Sequence, residues 1–350
     1  MKSMILAGVV ATVAGSASAQ IQLTRIAAID FTGQLVGSNA SSVAWDGANL
    51  YVGGWNNTGS AAGVGVTRLT NALSGAGTFS QFNVANSGAF RGISGLALRG
   101  EQLGIAVDTN GATGVGSVQL RDTNGNLLFN SPADATSNGQ SGVAFDPING
   151  GLAYASFGAG RFRQFNTTDG STIWSGATGP FNFDGQWGTA YRDTAIDATG
   201  NVYAREGSQL IKFTRNSPNG FEVPFTSSMI LNGISDAGLG DNSIGQNIGI
   251  IDDFGGVVLW NNRFSGSDAA ADIIGAVGMD GSAVSLTFTN DASFFLNSTG
   301  IYDFSYDSVT KTLAVAEWSS ARVYIYQVVP APGVAGLLGM AGLMAARRRR

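Results

Sequence analysis

A pair of short apolar runs joined by a polar turn recurs six times along this chain. Val43-Ala44-Trp45-Asp46 precedes Leu50-Tyr51-Val52, and Val143-Ala144-Phe145-Asp146 precedes Leu152-Ala153-Tyr154-Ala155. Thr194-Ala195-Ile196-Asp197 precedes Val202-Tyr203-Ala204, and Phe304-Ser305-Tyr306-Asp307 leads to Thr312-Leu313-Ala314-Val315-Ala316. Two weaker copies complete the set: Leu96-Ala97-Leu98-Arg99 before Ile105-Ala106-Val107, and Ile248-Gly249-Ile250-Ile251-Asp252 before Val257-Val258-Leu259. Measured at the Asp46 position, the steps are 53, 47, 51, 55 and 55 residues, so the units fill residues 22 to 328. A repeat of this length constrains the fold before any single motif does, because each unit buries its apolar face only against its neighbours.

Each unit reads as strand, tight turn, strand. Two apolar runs flank Asp-x-x-Gly-Asn or Asp-Pro-x-Asn-Gly, in which Asp and Asn bond their own backbone and Gly supplies positive φ. Further strands follow at Arg161–Phe165, Gln209–Phe213 and Arg322–Val328. A four-stranded antiparallel meander repeated six times is the arithmetic of an all-β, six-bladed β-propeller. Gln22 to Ile29, ahead of the first repeat, is expected to supply the outer strand of the last blade and hide both sheet edges. A parallel β-helix is the structural rival, but its rungs are about half as long and carry no paired hairpin signal. Gly53-Gly54 and Gly63-Val-Gly65 read as loop glycines, since no helix follows to make them phosphate cradles.

Through the apolar-x-aromatic-Asp, turn, Leu-Tyr-Val pattern, the units resemble those of the NHL and gluconolactonase-like six-bladed propellers. The resemblance spans most of residues 22 to 328. It implies that an enzymatic member would hold calcium at the channel mouth with acidic and Asn side chains, but no ligand set is carried over residue by residue.

The two ends read as address segments. Met1-Lys2-Ser3, the apolar stretch Met4 to Ala14, and Ala17 and Ala19 in an A-x-A arrangement form a signal peptide, with cleavage expected before Gln20. At the other end Pro330-Ala331-Pro332 leads into Val334 to Ala346, which has no charged or strongly polar side chain, and then into Arg347, Arg348, Arg349 and Arg350. Thirteen helical residues span roughly 20 Å, short of the ~30 Å bilayer core, and snorkelling of Arg347 narrows that gap. Clustered Arg resists translocation, so this end is expected to stay cytoplasmic. The layout resembles the PEP-CTERM sorting signal of exosortase-processed bacterial proteins, with Ala331 where that family has glutamate. The resemblance implies export, transient insertion of 334–346 in the inner membrane, an exosortase-like processing partner, and a final place at the cell surface or outside. The expected organisation is therefore a signal helix within 1–19, a β-propeller at 20–329 and a sorting tail with a short transmembrane helix at 330–350.

Composition then excludes chemistry. The chain has neither His nor Cys, which removes Ser-His-Asp and Cys-His catalysis, disulfides, and zinc, copper or haem sites of the usual kinds. Removing Lys2 and the four terminal arginines from the 19 basic residues leaves 14 against 24 acidic ones, and no basic stripe to attract nucleic acid. Carboxylate chemistry and an oxygen-ligated calcium site stay open. Asp108-Thr-Asn-Gly111 and Asp122-Thr-Asn-Gly-Asn126 begin like calcium loops, but lack the closing Glu and read as hairpin turns. Asp252-Asp253 would suit a two-carboxylate mechanism only if adjacent residues converged, which an extended strand forbids. Trp55, Trp187, Trp260 and Trp318 are expected to pack between blades rather than offer sugar-stacking platforms. With no catalytic constellation and no assigned cofactor, the expected function is a non-enzymatic binding or structural propeller meeting exopolysaccharide or a surface protein. A calcium-dependent propeller hydrolase or lactonase and a passive spacer are the alternatives.

Overall fold

The computed structural model describes residues 19–56, 63–85, 91–108, 118–131, 140–156, 161–175, 193–206, 209–218, 220–221, 227–232, 247–261, 274–290, 301–318 and 320–330, all of them strand, turn or loop. After β1 (Ala19–Asp30), sheet 1 comprises β2 (Asn39–Trp45), β3 (Leu50–Trp55), β4 (Val64–Leu69) and β5 (Phe79–Ala85). Sheet 2 comprises β6 (Gly92–Arg99), β7 (Gln102–Asp108), β8 (Val118–Asp122) and β9 (Leu127–Asn130). Sheet 3 comprises β10 (Gln140–Phe145), β11 (Leu152–Ser156), β12 (Arg161–Phe165) and β13 (Thr172–Ser175). Sheet 4 comprises β14 (Asp193–Ile196), β15 (Val202–Glu206), β16 (Gln209–Phe213) and β19 (Ser227–Asn232), with a ribbon of β17 (Arg215–Ser217) and β18 (Gly220–Phe221) in its last connection. Sheet 5 comprises β20 (Ile248–Ile251), β21 (Val257–Asn261) and β22 (Ile274–Gly278). Sheet 6 runs β23 (Val284–Thr289), β1, β26 (Arg322–Pro330), β25 (Thr312–Glu317), β24 (Ile301–Asp307).

All six hairpins expected from the repeat are present, and pairing is antiparallel except between β1 and β23. The parallel β-helix is thereby excluded for the described residues. The turn chemistry is the local device expected. Asp197 Oδ1 accepts the N–H groups of Thr199 and Asn201 at 2.9 Å each, and Gly200 supplies φ +84. Asp122 is held likewise by Asn124 and Asn126, so its loop is a hairpin turn.

Two pairings depart from four separate strands per unit. β1 does pair with β26, from Ile21 opposite Pro330 to Asp30 opposite Arg322, but it is not an edge. β23 leaves sheet 5, keeping only a Val277–Ala283 bridge, and adds to β1 in parallel. Crossing over packs Leu286 and Phe288 into the core between sheets 5 and 6, with the Phe288 ring edge-on to Tyr326 at 6.1 Å. The second departure joins sheets 1 and 2 through a Trp55–Gly92 pair. A Cβ on Gly92 would lie 2.4 Å from the indole, so only glycine allows that approach.

Gly53 and Gly54 are strand residues of β3, and Gly65 lies within β4, which corrects their reading as loop glycines. A Cβ on Gly53 would meet Ser42 Oγ at 2.1 Å, and one on Gly54 would meet the Val36 carbonyl at 2.2 Å. Close backbone approach, not turn conformation, requires them.

The first strands of the six units form a closed series of neighbours. Each first strand packs beside the next in the order β2, β6, β10, β14, β20, β24, and β24 packs beside β2. Among the described residues six apolar cores lie between successive sheets. One joins sheets 6 and 1 through Trp45, Leu50, Ala314 and Ile325, and another joins 5 and 6 through Leu259, Ile274, Leu313 and Tyr326. The remaining four sit between sheets 1 and 2, 2 and 3, 3 and 4, and 4 and 5. With no disulfides, this burial holds the fold, at about 1.5–3 kcal/mol per large aliphatic side chain.

The turn ends are stitched by polar contacts as well. Trp45 Nε1 donates to Thr312 Oγ1 at 2.7 Å, Arg99 to the Gly150 carbonyl at 2.7 Å, and Arg215 to Asp146. The Asp252-Asp253 pair occupies a turn and diverges. Asp252 accepts the Ala198 N–H of sheet 4 at 3.1 Å, whereas Asp253 takes Lys311 Nζ at 2.7 Å and Tyr306 OH at 2.6 Å from sheet 6.

Candidate ligand site at the axial mouth

In every unit the residue four positions before the turn residue lies on the first strand, opening it at Asp193 and Ile248 and standing inside it in the other four units. These positions are Ser42, Gly95, Gly142, Asp193, Ile248 and Asp303. Two of the six are therefore carboxylates, and they line a common axial cavity of about 200 Å³. Both are buried, Asp193 5% and Asp303 5% exposed.

Backbone N–H groups orient both side chains. Asp193 accepts Thr194 N–H at 2.8 Å on Oδ1 and Ile248 N–H at 2.9 Å on Oδ2. Asp303 accepts Phe304 N–H at 2.8 Å on Oδ1 and Val43 N–H at 2.8 Å on Oδ2. Each carboxylate thus clasps its own inner strand to that of the next sheet, 4 to 5 and 6 to 1. Gly142 makes room, since a Cβ there would lie 2.0 Å from Asp193 Oδ1.

Burial is the largest influence on both groups and raises both pKa values, because ionising a carboxyl out of water is unfavourable. Repulsion from Asp193 raises Asp303 further, and the hydrogen bond from buried Asn247 opposes that rise. Backbone hydrogen bonds and the fully buried Arg205, paired across the ladder from Asp193, oppose the rise at Asp193. Two carboxyls and one guanidinium leave a net negative axis when both acids ionise. A proton, a cation or a hydrogen-bond donor from a ligand would relieve it.

The cavity is smaller than the roughly 300–1,000 Å³ of small-molecule clefts, and suits a small polar group or the tip of a larger ligand. Its donor set is short of calcium's usual six to eight oxygens, and among the described residues no three acidic groups gather to hold a metal. Water or ligand oxygens would have to complete such a shell around Asp193 and Asp303.

The aromatic residues singled out in the sequence sit elsewhere. Trp55, Trp260 and Trp318 are 3%, 7% and 6% exposed, and the Trp55 and Trp318 rings meet at 5.7 Å between sheets 1 and 6. They pack between sheets, and Trp187 lies outside the described residues. Asp108 is paired with Arg91 at 2.8 Å, while the remainder of its loop lies outside the described residues. Of the processing residues, Ala19 and Gln20 open β1 and Pro330 closes β26. Ala17, Ala331, Pro332, Arg347, Arg348, Arg349 and Arg350 lie outside the described residues, as do the expected signal and tail helices.

Asp193 and Asp303 were not singled out from the sequence. The available signal was an acid at the same repeat position, four residues before the turn residue, in two units of six. No family model matches the chain, and no curated protein is detectably similar to it.

Proposed function

We propose that this chain is an exported six-bladed β-propeller that binds, without transforming it, a polar or cationic group at its axial mouth. Support for the propeller comes from the cyclic order of first strands and the six cores between consecutive sheets. The observation that carries the binding function is the convergence of the buried Asp193 and Asp303, from units 110 residues apart, on one axial cavity. An exopolysaccharide bearing amino or hydroxyl groups, or a surface protein presenting a lysine, has the matching chemistry. Delivery runs through the 1–19 leader and the PEP-CTERM-like 330–350 tail. An exosortase-like enzyme processes the tail, and the protein then stays at the cell surface or is released.

A glycan array tests the binding. Retention without turnover, lost in Asp193→Asn, is the expected result, and silence toward glycans and surface proteins leaves a passive spacer. The same two carboxylates favour one second reading, a calcium-dependent hydrolase or lactonase. A calcium-raised melting temperature together with ester or lactone turnover would replace the first reading by the second. Fractionation of cells carrying the chain with and without residues 330–350 tests delivery, and an unchanged distribution would remove the sorting function.

A further inference from the structure

The strand directions of sheet 6 fix where both address segments leave the fold. β1 and β23 start, and β26 ends, at the end of the sheet that carries the β24–β25 turn. Ile21 pairs with Pro330, Ala19 with Val284, and Val328 N–H donates to the Lys311 carbonyl of that turn at 2.8 Å. The two ends of the described chain, Ala19 and Pro330, therefore lie at one corner of the sheet. Asp193 opens β14 and Asp303 is the third residue of β24, each four residues before its turn residue, Asp197 or Asp307, and so about 13 Å away from the turn at ~3.3 Å per residue.

We infer that, while 334–346 is in the bilayer, the domain is held with its turn face toward the membrane and its axial carboxylates toward the outside. This rests on the proposed sorting function of the tail, and the tether length decides it. Only residues 331–333 separate Pro330 from the apolar run, and three residues span at most about 11 Å. The reverse orientation would require the chain to climb the height of β24, seven residues or about 23 Å. Charge does not supply the orientation. Asp252 and Asp280 are exposed at the turn end and Asp307 is half-buried there, so anionic headgroups repel this face rather than attract it. The short tether imposes it instead; the cavity is lined from the level of Asp193 and Asp303 toward the turn end, through Ile196 and Tyr306, so it lies on the membrane side of the two carboxylates.

The cysteine-free sequence makes the test direct. Ala283→Cys, at the turn end beside the exit, and Thr32→Cys, at the loop end of sheet 6, are both exposed positions for one fluorophore each. The full-length labelled chains are reconstituted into phosphatidylcholine vesicles carrying a headgroup quencher. The expected result is flotation of both, with quenching several-fold stronger at 283 than at 32. Flotation with equal or reversed quenching overturns the orientation alone. Failure to float overturns the membrane insertion of the tail, and the orientation with it.

Discussion

Between pH 5 and pH 8 the stability of this protein should fall as pH rises, the reverse of the usual approach to acid unfolding. The window is clean because the chain has no histidine and no cysteine. Unfolded aspartates and glutamates are already ionised there. In the folded state Asp193 is pushed up to about 7, and Asp303 and Glu317 are raised too, with burial the first cause in each. The folded protein thus holds at least one proton that the unfolded chain has released. A raised carboxyl contributes stability that is complete below its unfolded value and lost as pH climbs through its folded value. One proton corresponds to about 1.4 kcal/mol per pH unit, so raising pH from 5 to 7 should remove about 3 kcal/mol. Urea unfolding of residues 20–330 at pH 5, 6, 7 and 8, followed by tryptophan fluorescence, reads this directly. The Asp193→Asn, Asp303→Asn double variant should show a much flatter profile at lower overall stability. Each Asn carbonyl can replace one carboxylate oxygen but not both, and an orphaned buried N–H costs about 1–3 kcal/mol. Stability that is level or rising from pH 5 to 8, or a slope unchanged in the double variant, would refute the reasoning. Below about pH 4 the trend should turn over, because Asp30, Asp122, Asp169, Asp253 and Asp280 are lowered by hydrogen bonds that protonation weakens.

Two substitutions test the scaffold. Arg215→Met should lower stability by about 3–5 kcal/mol, since Arg215 and Asp146 are 6% and 0% exposed and the carboxylate would stay buried without its cation. Adding Asp146→Asn should recover a large part of the loss, and an unchanged urea midpoint in the single variant would contradict the assignment. Gly142→Ala should displace the Asp193 carboxylate, which the new methyl would meet at 2.0 Å, and weaken any axial ligand along with stability. Wild-type binding and midpoint in that variant would show that the clasp does not depend on the vacant Cβ position.

The hairpins were legible because their chemistry is local. Asp46, Asp122 and Asp197 each accept N–H groups from residues two to four positions on, so the turn is written within a handful of letters. The pairing of β1 with β26 was legible as well, since an apolar-alternating segment before the first repeat, left over from the hairpins, finds its partner in the last repeat. The crossing of β23 was not legible. Its side-chain alternation fits a place beside β22 as well as one beside β1, and the choice was made by the core that receives Leu286 and Phe288. The Gly53-Gly54 pair misled for the same reason: composition suggests a loop, whereas contact with Ser42, Ile93 and Val36 requires the missing side chains.

What the sequence determined by itself is the unit: two apolar runs, an Asp-capped turn, and a spacing near 51 residues that repeats six times. It also excluded histidine and cysteine chemistry outright, because absence of a residue type needs no coordinates. Only the tertiary structure decided which first strands pack side by side, and so placed Asp193 and Asp303 in one cavity. Turn formation depends on bonds a few residues apart, which sequence order encodes directly. Desolvation and Coulomb repulsion act through space, and the distance between residues 193 and 303 exists only once the chain has folded.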